Sequence, residues 1–213
     1  MADKLTYSAV QNFLTSLVPA REPEMVLMEE YADEHNFPII GPAAGYNCYQ
    51  IARMVDAKSV FEMGSGYGYS TAWFAKGVQE NGGGVVHHTV WDEKLSNMAR
   101  EHLSTLGYDG LIEYHLAEAV ETLQNMPGPL DLIFNDIDKS AYPTSLPIIK
   151  GKLKSGGVLI IDNVLWGGRI FDAADKSAST NGIREFTRLI TTDTDWVVSL
   201  VPVRDGMIVA YKK

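Results

Sequence analysis

The sequence predicts an α/β protein. The expected architecture is a doubly wound, seven-stranded, mostly parallel sheet with a C-terminal antiparallel hairpin and an N-terminal helical cap. Three observations predict it. From Lys58 onward, short apolar runs alternate with amphipathic stretches, the rhythm of repeated βα units. Several of those runs end in glycine, acid or amide clusters that a buried strand would avoid. The last two runs are joined by a segment containing Asp205-Gly206, a hairpin signal.

Residues up to about Asp56 have a helical period. Leu5, Val10, Phe13, Leu14 and Leu17 follow a 3–4 spacing that Pro19 ends. Met25, Val26, Met28 and Tyr31 predict a second helix, with its methionines packing in the cap, and Gly41-Pro42 opens a third through Val55. The core, 57–213, then predicts a strand at Ser59–Met63, a helix from Tyr69 to about Val78 and a strand over Gly84–Val90. A helix over Glu93–Leu106, a strand over Leu111–His115 and a short helix over Glu118–Asn125 follow. Next come a strand at Leu130–Asn135, a helix from Tyr142 to Leu153 and a strand at Gly157–Ile161. A helix near Ile183–Ile190 precedes the paired runs Trp196–Val201 and Met207–Tyr211. There is no repeat, low-complexity tract or linker, so the 213 residues read as one domain.

Composition narrows the function classes. An apolar fraction of 46% with 21% charged residues excludes disorder and coiled coil. A lone cysteine, Cys48, permits no internal disulfide and suits a reducing compartment, so a cytoplasmic protein is expected. No apolar run approaches the roughly 20 residues of a membrane span, and no signal-peptide core opens the chain. The net charge of -9 opposes nucleic acid as a partner and tolerates a cationic small molecule.

In such sheets ligands bind beyond the carboxyl ends of the strands. Three ends carry chemistry here: Glu62 with Gly64-Ser65-Gly66-Tyr67-Gly68, then Asn135-Asp136-Ile137-Asp138-Lys139, then Asp162-Asn163. A glycine loop opening a helix brings backbone N–H groups close to an anionic ligand. The spacing Gly64-x-Gly66-x-Gly68 does not match Gly-x-Gly-x-x-Gly, so a dinucleotide fingerprint is absent and a tight turn alone would explain the loop. Asp136, Asp162 and Asn163 offer hard oxygen donors suited to Mg²⁺, Mn²⁺ or Ca²⁺. Either aspartate alone reads as a cap; both beside Asn163 at adjacent strand ends read as a metal site. His87-His88 has no ligand spacing within the sequence and reads as structural, as do Trp73-Phe74 and Cys48.

These residues carry a family resemblance. Phe61-Glu62-Met63-Gly64-Ser65-Gly66-Tyr67-Gly68-Tyr69-Ser70, Asn135-Asp136-Ile137-Asp138-Lys139, Asp162-Asn163-Val164-Leu165-Trp166 and Val201-Pro202-Val203-Arg204-Asp205-Gly206 resemble the cation-dependent, S-adenosylmethionine-dependent O-methyltransferases. That group contains the caffeoyl-CoA and catechol enzymes, and the chain looks like a bacterial member, from about Pro38 to the C-terminus. The resemblance implies a class I methyltransferase, Rossmann-like sheet. It implies that Asp136, Asp162 and Asn163 hold the metal, and that Lys139 lies beside the reacting hydroxyl as general base, with Asp136 part of the catalytic set. Glu62, Gly64, Ser65, Gly66 and Ser70 are implied in cofactor contact, Ser70 at its amino-acid carboxylate, with Asp136 adjoining. Glu118 and Ala119 fall at the adenine, and Trp166 near the substrate. The pattern departs at Val90, where the family usually has an acid for the cofactor ribose; Asp92 is the nearest substitute. Gly167 and Thr187 also depart, at positions bearing on the acceptor.

The implied activity is divalent-metal-dependent transfer of a methyl group from S-adenosylmethionine to a small aromatic diol, catechol-like or hydroxycinnamoyl, in a homodimer. Val90 favours a rival from another class, a cofactor-binding protein with weak or no catalysis, used as a sensor. A nicotinamide oxidoreductase is opposed by the glycine spacing and by Val90.

Overall fold

The central sheet has the strand order β3-β2-β1-β4-β5-β7-β6 in a computed structural model that describes residues 6–213. The strands are β1 (Ser59–Met63), β2 (Val85–Val90), β3 (Ile112–Leu116), β4 (Leu130–Asn135), β5 (Leu153–Ile161), β6 (Trp196–Val201) and β7 (Met207–Lys212). The first five pair in parallel, and β7 runs antiparallel to both β5 and β6. The helices are α1 (Tyr7–Ser16), α2 (Pro23–His35), α3 (Gly41–Met54), α4 (Tyr69–Glu80), α5 (Glu93–Thr105), α6 (Ala119–Asn125), α7 (Tyr142–Lys152) and α8 (Ala178–Thr192). The doubly wound, mostly parallel sheet with a terminal antiparallel hairpin is as the alternation predicts.

Side chains alternate across the strands and divide the core into two layers. Val60, Val86, Leu132, Phe134 and Ile160 face one side, where α2 to α5 supply Met28, Cys48, Phe74 and Leu103. Phe61, Met63, Ile133, Leu159 and Ile161 face the other, covered by α6 to α8 through Leu123, Tyr142, Ile149 and Phe186. Met25 and Met28 pack in the cap, and Trp73, Phe74 and Cys48 are buried, as read from the sequence.

The differences have local causes. β5 begins at Leu153 rather than Gly157 because Leu130 pairs with Leu153, and an irregularity in register then carries the ladder on to Leu132 and Val158. β3 starts one residue late because Asp109–Leu111 forms a 3-10 turn. α8 extends to Ala178, where Ser177 caps it by accepting from Thr180 N–H. The apolar stripe of α1 has the predicted period, yet none of its residues is buried, with Phe13 and Leu17 both more than half exposed. Leu5 lies outside the described residues.

Candidate active site

Adjacency of β1, β4 and β5 brings the three predicted clusters to one sheet edge. They border a cavity of about 660 Å³ whose wall includes Gly64, Ser65, Gly66, Ser70, Glu118, Ala119, Asp136, Lys139, Asn163 and Trp166. Gly64 is indispensable to this convergence. Its φ is +87°, and a Cβ there would sit 2.7 Å from the carbonyl oxygen of Asp136. Only glycine lets the β1 loop lie against the end of β4.

Ser65 ties the loop to β2: its N–H donates to the Thr89 carbonyl, and its hydroxyl accepts from Thr89 N–H, each at 2.9 Å. Gly68 opens α4 in the left-handed region and has no side chain to cap it, so first-turn N–H groups remain available to a ligand carboxylate. Glu62 does not reach the cavity wall. It is fully buried behind the loop and accepts from the hydroxyls of Ser70 and Thr71. Burial pushes its carboxyl up to about 7, against the lowering effect of those hydroxyls. Since Thr71 donates to Glu62, the 3.0 Å contact between Thr71 and His88 requires a proton on His88 Nδ1. That leaves His88 Nε2 as a buried lone pair without a partner.

The acidic corner is held by Tyr142, wholly buried, whose hydroxyl lies 3.0 Å from the Asp162 carbonyl and 3.3 Å from that of Asn135. Asp136 does not act as a cap; that task falls to Asp138, which accepts from Ser140 N–H at 2.8 Å. Lys139 is neither a solvated lysine nor Asp138's partner. It is 9% exposed and its Nζ donates to Asp136 Oδ1 at 2.6 Å and to the Ile137 carbonyl at 3.2 Å. Gly182 of α8 permits this placement, because a Cβ there would lie 2.2 Å from the Lys139 carbonyl oxygen.

Asp162 is 0% exposed and stands just behind the wall. Arg204 approaches its Oδ2 at 3.4 Å, whereas Oδ1 is buried with no hydrogen-bond partner. Burial raises the pKa of both aspartates, and for Asp162 the neighbouring charge of Asp136 adds to the rise. The wholly buried Asp162, with its orphaned oxygen, thus opposes the half-buried carboxylate of Asp136, two like charges at adjacent strand ends. Asn163 (φ +59°) and Trp166 (φ +50°) both hold left-handed backbone in the loop after β5. Hydrogen bonds from Val164, Leu165 and Gly167 N–H groups to the β6–β7 turn keep it there.

The β2 side of the cavity is built differently. Val90, Trp91 and Leu95 line it, with Trp91 78% exposed. Asp92, the nearest substitute for the acid absent at position 90, caps α5, its carboxylate accepting from Leu95 N–H at 3.0 Å, and it lies off the wall. Glu118 also caps its helix, accepting from Glu121 N–H at 2.7 Å, but remains in the wall beside Ala119. Gly167 and Thr187, the other departures, are not in the wall.

Sequence reading assigned no role to Arg204, Tyr142, Thr71 or Thr89. Thr89 Oγ1 and Trp166 Nε1 are buried, unpartnered polar atoms of wall residues, a signal visible only in three dimensions. Arg204 also lines a second, adjoining cavity of about 520 Å³ with Gln11, Pro42 and Asp205.

A doubly wound sheet with a glycine loop and an acidic corner at its switch point defines a nucleotide-type ligand site of the methyltransferase kind. The sequence model of the O-methyltransferase family matches residues 28–213, and the chain belongs to that family. A catechol O-methyltransferase of Niastella koreensis is 24% identical over 97% of this chain and 98% of its own. The O-methyltransferase from Bacillus cereus in complex with SAH superposes with a TM-score of 0.86 at 25% identity, covering 96% of this chain and 97% of that one. TomG from Streptomyces achromogenes, in complex with SAM, has the same fold at a TM-score of 0.86 and 22% identity over the full length of both. The protein is an S-adenosylmethionine-dependent O-methyltransferase.

Proposed function

We propose that this enzyme is divalent-metal-dependent and methylates a hydroxyl of a small catechol-like or hydroxycinnamoyl acceptor. The observation that carries the reading is the pairing of Asp136, in the cavity wall, with the wholly buried Asp162, whose Oδ1 is left without a partner. Asp136, Asp162 and Asn163 would hold the cation, an all-oxygen set suited to Mg²⁺. Such a cation lowers the pKa of adjacent hydroxyls and orients them. The free N–H groups at the start of α4, with Ser65, Gly66 and Ser70, would hold the amino-acid end of the cofactor, and Glu118 and Ala119 its adenine.

Lys139 Nζ, held at the acidic corner, is the group that takes the hydroxyl proton. The acceptor oxygen forms its bond to the methyl carbon as the carbon–sulfur bond breaks, and that electron pair leaves on sulfur. Gly64 and Trp166 align the two partners for in-line attack. The likeness to a catechol O-methyltransferase of Niastella koreensis and the oxygen-donor corner support a vicinal diol acceptor. The -9 charge disfavours a polyanionic CoA ester. A homodimer is in keeping with the exposed Phe13 and Leu17 at the end of α1, and a cytoplasmic location with the single buried cysteine. No helix among the described residues is long and apolar enough to cross a membrane.

The test is methyl-donor turnover against a phenolic panel with and without Mg²⁺. Catechols should be methylated, chelation should stop turnover and added Mg²⁺ should restore it. Undiminished turnover in chelator would contradict the metal reading, and turnover only of monophenols would contradict the diol.

A further inference from the structure

The pair His87-His88 acquires partners only once the strands are assembled. β2 and β3 are parallel, with His87 opposite Glu113 and Thr89 opposite His115. Side chains two apart on a strand share a face, so His87, Glu113 and His115 project together on the α6 side of the sheet. His88 points the other way, towards Thr71. The sequence offers no hint of this cluster because His87 is 26 and 28 positions from Glu113 and His115, and meets them through register alone.

The geometry points to a second divalent-cation site, of the zinc type, formed by His87 Nδ1, His115 Nε2 and a carboxylate oxygen of Glu113. The two ring nitrogens are 3.1 Å apart, His87 Nδ1 lies 3.5 Å from Glu113 Oε2, and His115 Nε2 lies 3.7 Å from Glu113 Oε1. A tetrahedral ion with bonds of about 2.0–2.1 Å sets its ligand atoms about 3.3 Å apart. The two ring nitrogens are spaced as two corners of such a tetrahedron, a Glu113 oxygen lies within 4.8 Å of both as the third, and a water completes the set. Two imidazoles and one carboxylate favour Zn²⁺ over Mg²⁺, the reverse of the all-oxygen corner. The His87 and His115 rings both lie against Phe61, with centroids 6.0 and 6.2 Å away, which limits their rotation. Burial lowers the pKa of both histidines and so maintains the neutral, ligating form. Glu113 is 59% exposed on its side chain and supplies the route in from solvent. His115 is level with Thr89 and lies two residues before Ala117, both in the wall of the cofactor cavity, so the cluster adjoins that cavity from within the sheet. A bound ion there would fasten the edge strand β3 to β2.

The experiment uses tag-free, chelator-stripped protein carrying Asp162→Asn, which removes the oxygen site from the count. Zn²⁺ alone is titrated by calorimetry, Co²⁺ by its visible absorption, and thermal melting is recorded with and without Zn²⁺. One equivalent of Zn²⁺ should bind with micromolar or tighter affinity, Co²⁺ should give the intense bands of a low-coordinate site, and Zn²⁺ should raise the melting temperature. Adding His115→Gln should weaken Zn²⁺ binding at least tenfold and abolish the melting shift. Glu113→Gln, at an exposed side chain that leaves the fold intact, should also weaken it about tenfold. No Zn²⁺ binding in the Asp162→Asn protein, or equal affinity with His115→Gln and Glu113→Gln, would overturn the assignment.

Discussion

The two halves of the candidate active-site cavity are built from opposite materials. On the β4–β5 side, carboxylates, a lysine and an arginine crowd into a buried corner, and Asp162 Oδ1 has no partner at all. On the β2 side the wall is Val90, Trp91 and Leu95, and the nearest acids cap helices. The first half concentrates charge where the proposed mechanism activates a hydroxyl. The second offers shape and an aromatic surface, with no carboxylate from β2 for a ribose. Catalytic power should therefore be lost sharply by changes on one side, while changes on the other tune affinity.

The largest effect should come from Asp162→Ala, which removes the carboxylate with the orphaned oxygen. Mg²⁺-dependent turnover should fall at least about a thousandfold with circular dichroism unchanged. A smaller loss would mean that the charged corner is scaffolding, and the contrast between the halves would disappear. Lys139→Met should lower kcat by about two to three orders of magnitude and leave KM for S-adenosylmethionine nearly unchanged. Steady-state kinetics with the donor varied separates that result from general disruption.

Glu62→Gln tests the buried network beneath the glycine loop. Burial raises the folded-state pKa of Glu62 to about 7 from an ordinary 4.5. Its contribution to stability is thus complete below about pH 4.5 and is lost as pH rises to 7. The glutamine variant should gain on the wild type across that window, by on the order of 3 kcal/mol at pH 8. Urea denaturation of cofactor-free protein at pH 5 and 8 measures the difference. His88, held down to about 3 by burial, acts in the other direction. Its neutral form contributes fully above about pH 6.5, and that stability is lost as pH falls towards 3, in both proteins alike.

The smallest effect addresses the apolar half. Val90→Asp places a carboxylate at the end of β2, where the family pattern has one. S-adenosylmethionine affinity by calorimetry should tighten about tenfold, as one charge-assisted hydrogen bond would provide, with kcat little altered. Unchanged affinity would show that Trp91 and its neighbours already serve the ribose in another way.

Most of the charged half was legible in the sequence because a buried strand ending in Asp or Asn is conspicuous. Asp136, Lys139 and Asn163 meet in one cavity wall, with Asp162 immediately behind. What could not be read was which acid does which task. Asp92 and Asp136 look alike in the sequence, but one caps a helix and the other faces the cavity. Glu62 reads from the sequence as a cofactor contact, yet its place behind the loop, accepting from Ser70 and Thr71, is set by packing alone. The apolar half gave no signal, because Val90, Leu95 and Ala117 are indistinguishable from core until the strand ends are located. Gly182 and Tyr142 were invisible for a related reason: their importance lies in close approach to the carbonyls of Lys139 and Asp162, which only packing defines. The same holds for His87 and His115, joined by strand register.

The most direct measurement is Mn²⁺ binding followed by electron paramagnetic resonance in wild type and Asp162→Ala, each stripped of metal beforehand. One ion should be sequestered by the wild type and released to the free-ion signal in the variant. Equal sequestration by both proteins, or none by either, would contradict a cation held between the ends of β4 and β5.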